Sequence, residues 1–330
     1  MATMRALVAA PRVDGPGGRA WLRRDYPRPV PGPGEALVRI TRAGVCATDL
    51  EVLLGYRVFD GVLGHEFVGV VAESASPEWL GRRVACEINV GCGECEDCVR
   101  GFREHCVRRH ALGIFGCDGC FADYIAVPLR NLHALPDGLP DDAAAFVEPL
   151  AAACEILEQL HVRPRQRVAV VGAGRLGLLC AQVLALTGCD LTVLGRHASA
   201  LELLRAWGIV ARRVPGEDVT DLHGAVDIVV DCTGSVDGFA QARALVRPRG
   251  TLVLKSTFHG VTPIDLSGFA VDEITLLGSR CGPFPAAIRL LAAGHVQVAP
   301  LISARYGLDE AEAALEHAAR PGVLKVLIAP

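Results

Sequence analysis

The segment VAVVGAGRLG, Val168 to Gly177, decides the fold. A short apolar strand runs into Gly172, Gly174 and Gly177, spaced G-x-G-x-x-G, and a helical pattern follows from Arg175 to Thr187. A strand that ends in such a turn and opens a helix is the context a dinucleotide pyrophosphate requires. Gly172 makes the tight turn, Gly174 lets the backbone approach the phosphates, and Gly177 lets helix and strand pack closely. The amides of Arg175 and Leu176 then face the phosphates at the helix N-terminus. The apolar stretch through Leu186 has membrane length, but Arg175 and the clustered glycines fit a buried strand, turn and helix better.

Working outward, DLTVL, VDIVVD, GTLVLK and EITLLG are further short apolar strands, with helical patterns at Ala200–Trp207 and Val236–Val246 between them. Alternation of buried strands with helices implies a parallel, doubly wound sheet, a Rossmann-type α/β domain. Ligands of such sheets sit at the carboxyl ends of the strands. Thr233 and Gly234 in DCTGS, and Lys255 and Ser256 at the end of the following strand, are therefore candidate cofactor contacts. The strand after the glycine turn ends LTVLGRH. An acid there would bond the ribose 2′-hydroxyl of NAD(H). Gly195 stands in its place, followed by Arg196 and His197. Without a carboxylate to repel a 2′-phosphate, and with a guanidinium able to pair with it, NADP(H) is favoured over NAD(H).

Toward the N-terminus, EALVRI, FVGVV, RRVACE and YIAVP are short strands bounded by turn residues, which suggests a mainly β, partly closed-barrel domain. A helical segment spans about Leu150 to Leu160, two more cover Pro285–Ala293 and Asp309–Ala319, and a last strand lies in VLKVLIA. The 330 residues, 51% of them hydrophobic, suit two domains. A net charge of −4 argues against nucleic acid or an anionic membrane as partner. The N-terminal apolar run is too short for a signal peptide, so a cytoplasmic protein is expected.

Cysteine is the most informative residue type. The chain has 13, an odd number, which favours free thiols and metal ligation over disulfides. Cys92, Cys95, Cys98 and Cys106 fall in GCGECEDCVRGFREHC with the spacing C-x2-C-x2-C-x7-C. Four thiolates can close a tetrahedral zinc shell, and an iron–sulfur cluster can use similar spacings. Cys117 and Cys120 form another C-x2-C, expected to be structural. Cys46, His65 with Glu66, and Glu148 lie scattered between residues 46 and 148. Thiolate, imidazole and carboxylate are zinc-ligand types, although each of these residues alone is an ordinary one.

Together GVCATDL, GHEFVGVV, CGECEDCVRGFREHC, DGCFADYIAVP, VEPLAAA and VAVVGAGRLG resemble, in order, the zinc-dependent medium-chain dehydrogenases of the alcohol dehydrogenase superfamily. The likeness is nearest to the polyol and threonine dehydrogenase branch and spans nearly the whole chain. It implies a catalytic zinc on Cys46 and His65, with Glu66 and Glu148 supplying carboxylate ligation, and a structural zinc on Cys92, Cys95, Cys98 and Cys106. It implies that Thr48 takes the alcohol's proton and that Asp49 steadies the ligands from behind. Glu51 stands where many members carry a relay histidine. The resemblance also implies a catalytic domain over residues 1–150, a nucleotide domain over 151–282 and a returning segment over 283–330, with substrate between the domains. The expected reaction passes hydride between NADP(H) and a secondary alcohol, polyol or amino alcohol, in a homodimer or homotetramer. A zinc-free quinone or enone reductase of the same fold, or a non-enzymatic zinc- and nucleotide-binding redox sensor, would lack a use for the full Cys46, Thr48, His65 and Glu66 set.

Overall fold

The computed structural model describes residues 2–12, 17–256 and 261–330. Contacts divide the chain into two units, Met1–Glu148 with Phe284–Pro330, and Pro149–Pro283.

The second unit is a six-stranded, all-parallel sheet. Its spatial order is Val210–Arg213, Asp190–Gly195, Arg167–Val171, Val226–Asp231, Val246–Leu254 and Thr275–Gly278. The strand before the glycine turn is thus central, with later strands added to one side and then the other. This is the dinucleotide-binding order, whose reversal point lies beside that strand. Val168, Ala169, Val170 and Val171 are all buried, because a parallel strand covered on both faces leaves no room for alternation. The helices Arg175–Ala185, Ala198–Ala206 and Val236–Leu245 make the crossovers. The fourth helical pattern, near Leu150–Leu160, is realised as Val147–Gln159.

The first unit is mainly β. In its larger sheet the order is Leu132–Ala134, Arg83–Cys86, Glu66–Ser74, Glu35–Gly44, Lys325–Ala329 and Ile302–Gly307. Tyr124–Pro128 pairs with the first half of Glu35–Gly44, and Lys325–Ala329 with its last two residues. A smaller sheet joins Gly18–Pro27, Thr3–Pro11 and Gly61–Val62. Backbone bonds from Leu7 to Phe121 and from Asp123 to Arg5, 2.7 and 3.1 Å, tie it to the residues leading into Tyr124. Leu308, Ala311, Leu315 and Ile328 pack in the same core as Leu7, Val38, Phe67 and Phe121. The last segment of the chain is therefore built into the core that the first segment starts.

Three strands lack the apolar run that would announce them. Gly18–Pro27 is an outer strand of half-buried and exposed residues with three arginines and an aspartate, GRAWLRRDYP. Val210–Arg213 is half arginine, and Ile302–Gly307 has no buried residue. The final strand starts at Lys325, two residues later than the apolar pattern, because Gly322 turns the chain at φ +81°.

Candidate active site and metal centres

Cys46 precedes the helix Ala47–Leu53, His65 precedes the strand Glu66–Ser74, and Glu66 opens it. These two elements bring one ligand atom each from Cys46, His65 and Glu66 within 4.8 Å of one another. Glu148, in the first turn of Val147–Gln159, is not in that set.

The surroundings hold this set rigidly. Asp49, fully buried, accepts a hydrogen bond from the Cys46 amide through Oδ2 at 2.8 Å. Its Oδ1 lies 3.1 Å from His65 Nδ1, and neither of these buried atoms has an aligned hydrogen-bond partner among the described residues. With Nδ1 turned to a carboxylate, Nε2 is the nitrogen left for a metal. Burial opposes charge on His65, but Asp49 and Cys46 outweigh it and hold the imidazole pKa well above its ordinary value. A field that favours a proton so strongly in a dry site also favours a metal cation. The donor set and the field fit zinc, with three protein ligands and an open position. Thr48 Oγ1 lies 3.6 Å from Cys46 Sγ.

Glu66 brings a feature that the motif reading lacked. Its Oε2 pairs with Lys325 Nζ, and both side chains are buried. Lys325 also donates to the Val45 carbonyl at 3.3 Å. Gly44 makes room for the pair, since a Cβ there would stand 2.5 Å from Glu66 Oε2. A signal was available. Lys255 and Lys325 are the chain's two lysines, one directly after an apolar strand and one opening another, and both are buried. A lone ammonium in a core strand requires a buried acceptor.

The four-cysteine lobe gathers Cys92, Cys95, Cys98 and Cys106 with all four sulfurs within 4.8 Å. None of the chain's cysteines forms a disulfide. The Cys92 and Cys98 sulfurs are 4.0 Å apart, near the edge of about 3.8 Å expected for four sulfurs around zinc. The Cys95 amide donates to Cys92 Sγ at 3.4 Å and the Cys92 amide to Cys106 Sγ at 3.3 Å. Such amide bonds, from Glu94 and Cys95, bring the Cys92 pKa down to about 6. A Cβ on Gly91 would lie 2.8 Å from Cys98 Sγ, so the shell is closed around a glycine as well as around the thiols. Arg103 anchors the lobe to Glu87 and the Arg130 carbonyl, at 3.2 and 2.8 Å. Cys117 and Cys120 join no ligand group among the described residues; burial pushes the Cys117 pKa up to about 12 and holds that of Cys120 well above its ordinary value.

In the nucleotide unit the three glycines of the turn meet three different demands. Gly172 has φ +103°, and a Cβ there would lie 2.9 Å from the Cys232 backbone. At Gly177 a Cβ would stand 1.8 Å from the Gly172 carbonyl oxygen. At Gly174 it would meet nothing within 4 Å, so protein packing does not explain that glycine, whereas approach by a ligand does. Arg175 and Leu176 begin the helix behind it. Thr233 donates to Asp231 Oδ1 through its amide and hydroxyl, at 2.9 and 2.7 Å, and Gly234 follows with φ +62°. Lys255 is directed inward. Its ammonium donates to the Ala152 carbonyl, Ser279 Oγ and the Arg280 carbonyl at 2.5, 3.1 and 3.4 Å. Ser256 follows it, half-buried. Arg196 and His197 are exposed at the end of Asp190–Gly195.

A separate cavity of about 420 Å³ is lined by Val58, Phe59, Asp60, Gly116, Cys117 and Asp118. It contains none of the metal-ligand candidates, and Asp118 is already bonded to Tyr26 Oη and the Val62 amide at 2.9 Å each.

Two family descriptions match the chain: the alcohol dehydrogenase GroES-like domain over residues 32–137 and the zinc-binding dehydrogenase over residues 176–293. An L-threonine 3-dehydrogenase from Streptomyces avermitilis is 30% identical over 98% of this chain and 99% of its own length. A sorbitol dehydrogenase from Halalkalibacterium halodurans is 30% identical over 99% of both chains. A zinc-binding dehydrogenase from Sinorhizobium meliloti 1021, solved bound to NADP, superposes with a TM-score of 0.89 at 29% identity, covering 100% of both chains. The chain belongs to the zinc-type medium-chain dehydrogenases, oxidoreductases acting on CH–OH groups. Within them it falls in the polyol and threonine dehydrogenase branch.

Proposed function

We propose that this protein interconverts a secondary alcohol, polyol or amino alcohol with its carbonyl, using zinc and, by preference, NADP(H). The convergence of Cys46, His65 and Glu66 around one point, with the Thr48 hydroxyl beside it, carries the reading. Bound there, zinc supplies polarisation of the substrate oxygen, and the nicotinamide supplies the hydride carrier. The chain's own residues do the rest. Asp49 fixes the His65 ring and the Cys46 backbone. Thr48 Oγ1 receives the alcohol's proton and hands it on, since a hydroxyl can relay a proton but cannot keep one. Lys325 sets the charge felt by the Glu66 carboxylate. Glu148 is the carboxylate that would exchange into the ligand set during turnover.

The four-cysteine lobe would hold a second, structural zinc. For the cofactor, a side chain at Gly195 would meet Ala173 Cβ at 2.7 Å, so the acid that selects NAD(H) is sterically disfavoured there, and Arg196 follows, exposed. The S. meliloti relative bound to NADP points the same way. We further propose a homodimer or homotetramer. Thr275–Gly278 is a sheet edge, and Leu266, Val271 and Leu276 near it are exposed. Among the described residues no helix is long and apolar enough to cross a membrane, and the free thiols suit a reducing, cytoplasmic setting.

Metal analysis together with oxidation of an alcohol panel tests the reading. The expected result is two zincs per chain, turnover with NADP, and loss of one zinc and of nearly all activity in His65→Ala. One zinc per chain with His65→Ala fully active would overturn the mechanism.

A further inference from the structure

The corner of the nucleotide unit beyond Gly195 contains a second exposed cation that the glycine-turn motif does not include. In the parallel register, Arg213 is the direct neighbour of Gly195, and the Val214 amide donates to the Gly195 carbonyl at 2.9 Å. Register neighbours in a parallel pair present their side chains on the same face of the sheet, and successive residues alternate. The side chain missing at Gly195 would point toward Ala173, in the glycine turn, and Leu201 on the next helix. Arg213 therefore leaves the sheet on the face of the glycine turn, and Arg212 on the opposite one.

The charges around this corner are divided in a consistent way. Arg212 is paired with Asp221 through two bonds, 2.5 and 3.0 Å. Glu217 is paired with Arg205 at 3.2 Å. The Asp218 carboxylate accepts from the Thr220 amide at 3.0 Å. The Asp221 and Glu217 carboxylates thus already have arginine partners. Arg213 and Arg196 are exposed and have no carboxylate partner among the described residues. Two arginines without counter-ions, at the strand end where an acid is missing, make a cationic corner. A guanidinium pair suits a dianionic phosphomonoester better than a single arginine does.

We propose that Arg213 is a second contact for the 2′-phosphate of NADP(H), acting with Arg196 to set cofactor choice. The proposal rests on the NADP(H) reading above and adds to it a residue on a different strand.

The test measures binding of adenosine 2′,5′-bisphosphate and 5′-AMP, by calorimetry, to the wild type, Arg196→Ala and Arg213→Ala. The wild type is expected to bind the bisphosphate at least about tenfold more tightly. Arg213→Ala should lose most of that preference while 5′-AMP affinity stays within about twofold, which also reports an intact nucleotide unit. NADPH and NADH titrations should show the same pattern. If the wild type does not prefer the 2′-phosphate, the NADP(H) reading fails and this inference with it. If the wild type prefers it and Arg196→Ala abolishes the preference, but Arg213→Ala leaves it unchanged, the role of Arg213 alone is overturned. Equal loss of both ligands in Arg213→Ala would also overturn it, because the residue would then be structural.

Discussion

Ala173 limits what Gly195 can become. A Cβ at Gly195 would stand 2.7 Å from Ala173 Cβ and 3.0 Å from Leu201 Cδ2, and an alanine methyl cannot rotate away. Installing the missing acid should therefore fail as a simple switch toward NAD(H). Gly195→Asp is expected to destabilise the nucleotide unit by about 1–3 kcal/mol, the usual range for overpacking. It should bind NADH no better than the wild type, and adding Ala173→Gly should restore both the melting temperature and NADH binding. An unshifted melting curve with tighter NADH binding in the single variant would refute this. At this scale the sequence was readable where one residue type has one physical role. Gly172 and Gly177 are obligatory because backbone atoms occupy the space of a Cβ. Arg213 was not readable, because its relevance comes from the strand pairing with Gly195, and VARR has too few apolar residues to announce a strand.

The four-cysteine lobe has short elements and little core. Its helix Glu96–Val99 is one turn long, its strands Asn89–Val90 and Gly116–Cys117 have two residues each, and Val99, Phe102 and Val107 are exposed. Burial cannot hold such a segment, and the proposed structural zinc would supply the missing folding energy. Gly91→Ala is expected to press on Cys98 Sγ and lower zinc content from two per chain toward one. Residues 92–106 should then become the first site of limited proteolysis, while His65 retains its metal. Unchanged zinc content and protease resistance would count against the lobe as a metal-dependent element. The gathering of its four thiols was legible because their close spacing in sequence keeps them together regardless of fold. The active-site trio was less so. Cys46, His65 and Glu66 lie on a helix start and a strand start, and a third element, Lys325–Ala329, completes their surroundings from 259 residues away in sequence.

Across the whole molecule, the first unit is held by links between distant parts of the chain. Asp141 accepts from Thr41 Oγ1 at 2.6 Å and from Arg83 at 2.5 and 3.1 Å. Burial would raise its pKa, but the bonds from Thr41 and Arg83 and the nearby charge of Arg83 and Arg42 outweigh it and hold the carboxyl below its ordinary 3.8. A depressed carboxylate contributes stability that is present above the unfolded pKa and is lost as pH falls through the lower folded value. Asp141→Asn should therefore lower the melting temperature at pH 7 and show a shallower decline than the wild type below about pH 4. Parallel melting curves for the two proteins down the acid limb would argue against the link. The two-unit division follows from composition and strand–helix alternation. The joining of Leu308, Leu315 and Ile328 to the N-terminal core does not, because periodicity says which face is buried and not against what. The burial of Lys255 and Lys325 has a further chemical consequence. With every other basic side chain an arginine or histidine, the native fold presents no lysine ammonium for acylation or for an isopeptide bond. Amine-reactive reagents should leave both lysines unlabelled until the molecule opens. Acylation of Lys325 would then serve as a clock for exposure of the Glu66 site, read by mass without any substrate.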